Sequence, residues 1–252
     1  MPTAAPGRLI ATLVAGLALS AFVAAGAMAQ TAAPLTADPL AAGGELSVRA
    51  LQLLTLLTVL SLAPGLAIMV TCFPFLITVL AILRQAIGLQ QSPPGMLLTT
   101  LAMFLTWFVM EPVFTEAWDL AAGPLQRGEI GLEAAVLAGL EPFRAFMLGR
   151  VEPETFASLA ALRPDPPALT AGAPLSVLVP SFLLSELARA FQVGFVIFLP
   201  FLVIDLVVAA VLMSMGMMMV PPAIVSLPFK LAFFVVADGW SLISAALVQG
   251  YF

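Results

Sequence analysis

Between Arg49 and Arg84 the chain runs for 34 residues without a single charge. As one straight helix that stretch would be about 50 Å long at 1.5 Å per residue. The hydrocarbon core of a bilayer is only about 30 Å thick. Pro64-Gly65 and Pro74 fall inside the run, and proline breaks or kinks a helix by removing a donor and crowding the preceding turn. The segment therefore reads as a bent helix or two linked helical pieces, and the chain built around it reads as membrane-type and all-α.

The rest of the composition agrees. Of the 252 residues 62% are hydrophobic and 9% charged, where a soluble domain carries about a quarter charged. A net charge of -5 argues against a nucleic-acid partner, which would need a basic face. With no histidine and one cysteine, Cys72, there is no His general base, no His or Cys metal set and no intrachain disulfide. These absences point away from an enzyme and from a metal or other cofactor.

Residues 1–29 have the form of a cleavable signal peptide. Arg8 supplies the positive start, Leu9 to Val23 the apolar core, and "AMA-Q" at Ala27 to Gln30 a small-x-small cleavage site. An uncleaved first membrane helix is the alternative, and the short apolar core disfavours it. Residues 30–48, rich in Ala, Pro and Gly, read as a flexible leader. Residues 49–110 form a first helical hairpin around the polar turn "RQAIGLQQSPPG", with Glu111-Pro112 closing the second apolar run. Residues 111–174 read as a small acidic helical subdomain on the periplasmic side, with nine acids and four bases between Glu111 and Asp165. Residues 175–252 form a second helical hairpin with a methionine-rich loop. About four membrane-type segments result.

Five charges interrupt apolar helical sequence: Glu186, Arg189, Asp205, Lys230 and Asp238. Each costs at least ~2.5 kcal/mol at a membrane helix centre, so each needs a partner, water or protein. Glu186 and Arg189 are spaced as an i,i+3 pair. Asp205 suits the cap of a broken half-helix, and Lys230 could snorkel to an interface. A sharper alternative pairs Glu186 with Lys230, within one subunit or between neighbours. These five are the candidate inter-helix or inter-subunit charges.

"MSMGMMM" places Met213, Met215, Met217, Met218 and Met219 in seven residues, just before Pro221-Pro222. Methionine is unbranched and polarizable and repacks around irregular shapes. Such a cluster is either filler at a helix end or the compliant lining of a narrow opening.

Three stretches carry a resemblance: "LRQAIGLQQSPPG" with "LAMFLTWFVMEPV", then "FQVGFVIFLPFLVIDLVVAAVLMSMGMMMVPP", then "SLPFKLAFFVVADGW". They resemble the FliP/SctR family of type III secretion export-gate subunits, over Leu51 to Phe252. The resemblance implies helical hairpins assembled into a ring of five around a central channel. The expected partners are FliQ and FliR, with FlhA and FlhB as further export-gate proteins. The implied place is the bacterial inner membrane at the flagellar basal body, the assembled complex sitting largely above the membrane plane. Unfolded flagellar proteins would pass through, and Met213 to Met219 would form a gasket at the constriction. One departure stands out: the family's usual Thr-Arg pair is replaced here by Pro74-Phe75, so that arginine's role does not carry over.

The resemblance makes the chain a conduit subunit without catalytic residues, flagellar or alternatively of the injectisome type. A secondary transporter or ion channel is the main competing class, since broken helices and the charges at Asp205, Glu186 and Lys230 suit one. No convincing inverted repeat accompanies them. A membrane hydrolase would need a nucleophile–base set, and no Ser-Lys or Asp-Asp constellation is placed for it.

Overall fold

The computed structural model describes residues 68–88, 93–217 and 219–252, together with individual positions between 50 and 65. The expected signal peptide and leader, and Met218, lie outside the described residues. Every regular element among those described is helical, and residues 60–252 make one compact unit.

Helix α1, Phe73–Ile87, carries Pro74 in its first turn and stops at Gly88, whose φ of 88° is left-handed. Proline is tolerated at a helix start because the N–H it lacks has no intrahelical acceptor there. Pro74 thus begins a helix directly after a non-helical break at residues 70–72, in line with the two linked helical pieces expected. Leu76, Val79, Leu80 and Leu83 are fully buried, the i, i+3, i+4, i+7 stripe of a core-facing helix. At 15 residues α1 is too short to cross a bilayer. It lies against protein instead.

Helix α2, Gly95–Ala117, does not stop at Glu111-Pro112; Pro112 lies inside it. A π-helical turn, Trp118–Ala122, and the short α3, Gly123–Gln126, continue the rod. Together they give an apolar segment of 32 residues. One internal proline costs a hydrogen bond and some crowding, about 3 kcal/mol, and the apolar sequence on both sides holds the helix across it. The boundary placed at residue 110 on sequence therefore falls mid-helix.

Helices α4, Leu132–Arg150, and α5, Pro153–Ala160, follow. Their buried residues Met147, Phe156 and Ala160, with Val151 between the two helices, share one core with Val177, Leu178 and Phe182 of the next helix. The acidic region is thus packed into the second hairpin instead of standing as a separate body.

Helix α6, Leu175–Ser214, spans 40 residues with Pro180 and Pro200 inside, about 60 Å at 1.5 Å per residue. It crosses α1 closely at Gly194, where an added Cβ would fall 2.4 Å from Ile82 Cδ1. α7, Pro222–Val236, and α8, Gly239–Gln249, meet at a 62° bend. The bend is set by Asp238 at φ 48° and by Gly239, against which the Phe234 ring packs too closely for a side chain. Among the described residues two helices, the α2–α3 rod and α6, are long and apolar enough to cross a membrane. They become three if α7 and α8 count as one bent span. Four were expected on sequence; α1 is too short, and the run before it is described only at scattered positions.

Candidate functional site

Three features stand out: two ionic nodes between helices and a methionine tip.

The first node gathers α1, α6 and α7. Lys230 of α7 donates to Asp205 Oδ2 of α6 at 2.6 Å and to the Ala86 carbonyl of α1 at 3.1 Å. Ser226, one turn before Lys230, donates to Asp205 Oδ1 at 2.6 Å. Lys230 is buried and Asp205 is half-buried. The Ala86 carbonyl belongs to the last turn of α1, where carbonyls lack intrahelical donors, so the ammonium also caps α1. Asp205 sits mid-helix, so it caps no half-helix.

The second node gathers α4, α6 and the residues after α8. Glu186 is fully buried and accepts from Arg150 Nε at 3.1 Å and from the Tyr251 hydroxyl at 2.5 Å. Arg150 also donates to the Gly250 carbonyl at 2.9 Å and lies 4.0 Å over the Tyr251 ring. Both carboxylate oxygens are satisfied, which burial of a charge demands. Burial, then the neighbouring Glu186 carboxylate, pushes the Tyr251 phenol well above its usual range, keeping it a donor. Beside the pair, the Glu152 N–H donates to Ser185 Oγ at 2.9 Å, tying α5 to α6.

The expected Glu186–Lys230 pair is therefore replaced within the chain: each residue has another partner. The i,i+3 pair with Arg189 does not form either. Arg189 is exposed and, among the described residues, has neither an ion pair nor a hydrogen bond. Asp238 is exposed at the α7–α8 elbow, and its side chain makes no capping bond. Sequence reasoning passed over Arg150, Ser226 and Tyr251. Their partners lie 36, 21 and 65 residues away, and no local spacing signals such a pairing.

The methionines occupy the α6–α7 connection. Gly216, at φ 75°, ends α6 in a paired cap: its N–H bonds to the Met213 carbonyl at 3.1 Å, and that of Met217 to the Leu212 carbonyl at 3.0 Å. That is the Schellman arrangement, which needs a left-handed residue and so favours glycine. Met213 lies on the last turn of α6 and Met215 caps it, while Met217 and Met219 lie beyond. All four project from the chain, at 61%, 66%, 37% and 97% exposure. Pro221-Pro222 then starts α7. Within one chain these side chains are not core filler.

The profile of the FliP family matches residues 56–247. The chain belongs to the FliP family. The flagellar biosynthetic protein FliP of Caulobacter vibrioides is 49% identical over 232 residues, covering 92% of this chain and 86% of that protein. The FliP of Pectobacterium carotovorum is 44% identical over 246 residues, covering 97% and 95%. The FliP of Bacillus subtilis is 46% identical over 201 residues, covering 79% and 91%. The first ionic node, the Arg150–Glu186 pair and the methionine tip lie inside the matched region, and Gly250 and Tyr251 lie just beyond it.

Proposed function

We propose that this chain is a core subunit of the flagellar protein export gate, several copies of which surround a conduit for unfolded flagellar proteins across the inner membrane. The observation that carries the reading is the methionine tip. Met213, Met215, Met217 and Met219 are exposed together at one hairpin end, held out by the Gly216 cap and the Pro221-Pro222 start. Large apolar side chains exposed in a cluster mark a surface that another body covers. Around a shared axis, flexible thioethers would close against one another and repack around a passing polypeptide.

The lone chain also leaves Phe191, Phe195, Val203 and Leu206 of α6 uncovered, which suits packing against sister chains. In this reading the assembly is a pentamer joined by FliQ and FliR and served by FlhA and FlhB. The acidic segment 111–174 faces the periplasm, and the subunit conducts without catalysing a reaction. The names of the relatives favour a flagellar over an injectisome system. Co-purification with co-expressed neighbours, followed by measurement of the complex mass, tests this: a mass requiring several copies supports it, and a stable lone chain contradicts it.

A further inference from the structure

A groove of about 560 Å³ opens between α6 and α8, and its walls are graded from one end to the other. Arg189 and Gln192 of α6, Arg150 of α4 and Gly250 stand at one end. Val196 and Ile197 of α6 face Leu242 and Ile243 of α8 at the other. Arg189 and Ile197 are about 12 Å apart along the helix at 1.5 Å per residue. The direction of α8 matches, because Gly250 is bonded to Arg150, whose other partner, Glu186, sits one turn before Arg189. Arg150 is occupied by Glu186. Arg189 is an exposed cation with no partner among the described residues, at the mouth of an apolar slot.

We propose that this groove holds an acyl chain of an anionic phospholipid, its headgroup on Arg189 and its hydrocarbon between α6 and α8, in the chain before its apolar faces are covered by neighbours. Charge complementarity selects the occupant: a headgroup phosphate answers the unpaired guanidinium and forks well with it, and a hydrocarbon tail answers the slot. Lipid is also the solvent that an uncovered apolar helix of this length meets. α6 is apolar enough to cross a membrane and keeps most of its circumference uncovered. The inference rests on membrane contact of α6, and not on the conduit reading.

The test is retention of lipid by the full-length chain, extracted from nanodiscs of equal phosphatidylglycerol and phosphatidylcholine and examined by native mass spectrometry. Phosphatidylglycerol should be retained about fivefold over phosphatidylcholine, the factor that ~1 kcal/mol per basic residue near an anionic surface gives. Arg189→Gln should bring the ratio to about one without unfolding the chain, because Arg189 has no partner to orphan. Ala246→Phe, which fills the slot, should abolish retention of both lipids, with helicity by circular dichroism unchanged. Equal retention of both lipids by the wild type, or an unaltered ratio in Arg189→Gln, overturns the proposal. So does a lipid-free oligomer that Ala246→Phe dissociates, which would assign the groove to a second copy.

Discussion

Lys230 and Asp205 face each other across the α6–α7 hairpin at 2.6 Å, and the same ammonium reaches the Ala86 carbonyl at the end of α1. One cation therefore fixes three helices. Lys230→Met should lower stability by about 1–3 kcal/mol, less than the ~3–5 kcal/mol of breaking a fully buried pair, because Asp205 is partly solvated. Exchanging Glu186 and Lys230 should not rescue either single variant, since neither touches the other. Thermal unfolding of the detergent-purified variants reads both outcomes; full rescue by the exchange would contradict this pairing.

The Glu186 node should be more severe. Arg150→Ala leaves a carboxylate with no solvent exposure facing only Tyr251, and one-sided loss of a buried pair costs about 3–5 kcal/mol. Glu186→Gln removes the charge and keeps an acceptor for Tyr251, so it should be milder. Tyr251→Phe, losing one charge-assisted bond, should cost about 1.5–3 kcal/mol. The predicted order in chemical denaturation is Arg150→Ala first, then the other two.

The α1–α6 crossing depends on one missing methyl group. Gly194→Ala would place its Cβ 2.4 Å from Ile82 Cδ1 and 3.1 Å from Ile82 Cγ2. Overpacking of this kind costs about 1–3 kcal/mol. Adding Ile82→Ala should recover part of the loss, because it removes the two closest atoms and leaves only Ile82 Cβ, at 3.3 Å. Unfolding midpoints of the single and double variants measure it.

Cys72 should be inert in the folded chain. It is fully buried, and burial, the largest cause, pushes its thiol up to about 12. Thiolate is the reactive form, so a maleimide should fail to label it at pH 7–8 until the chain is denatured. A thiol whose folded pKa lies above its unfolded value keeps its contribution to stability below the unfolded pKa. It loses that contribution as pH rises toward about 12. Labelling before and after denaturant, followed by mass, checks the first point.

Much of the second hairpin is legible in sequence. Pro221-Pro222 marks the start of α7, and Gly216 the end of α6, because both residues act through local backbone geometry. Pro74, Pro112 and Pro200 were harder to place. The same restriction starts one helix and sits inside two others, and only the packing around each decides which. The charges were legible as costly and not as partnered. Lys230 finds Asp205 through a hairpin, and Glu186 finds Arg150 through a fold. The i,i+3 spacing that suggested Arg189 leaves that residue outside, at the mouth of a groove that periodicity does not reveal.

The central claim is that the methionine tips of several copies meet. Met219, 97% exposed in the single chain, is the residue to interrogate, and the buried Cys72 leaves a Met219→Cys variant with one reactive thiol. Oxidation of that variant in native membranes should give a disulfide-linked dimer of this chain, lost when cysteine is placed instead at the outward-facing Leu162. Copies that remain unlinked at Met219 in an assembled, export-competent complex would contradict the account.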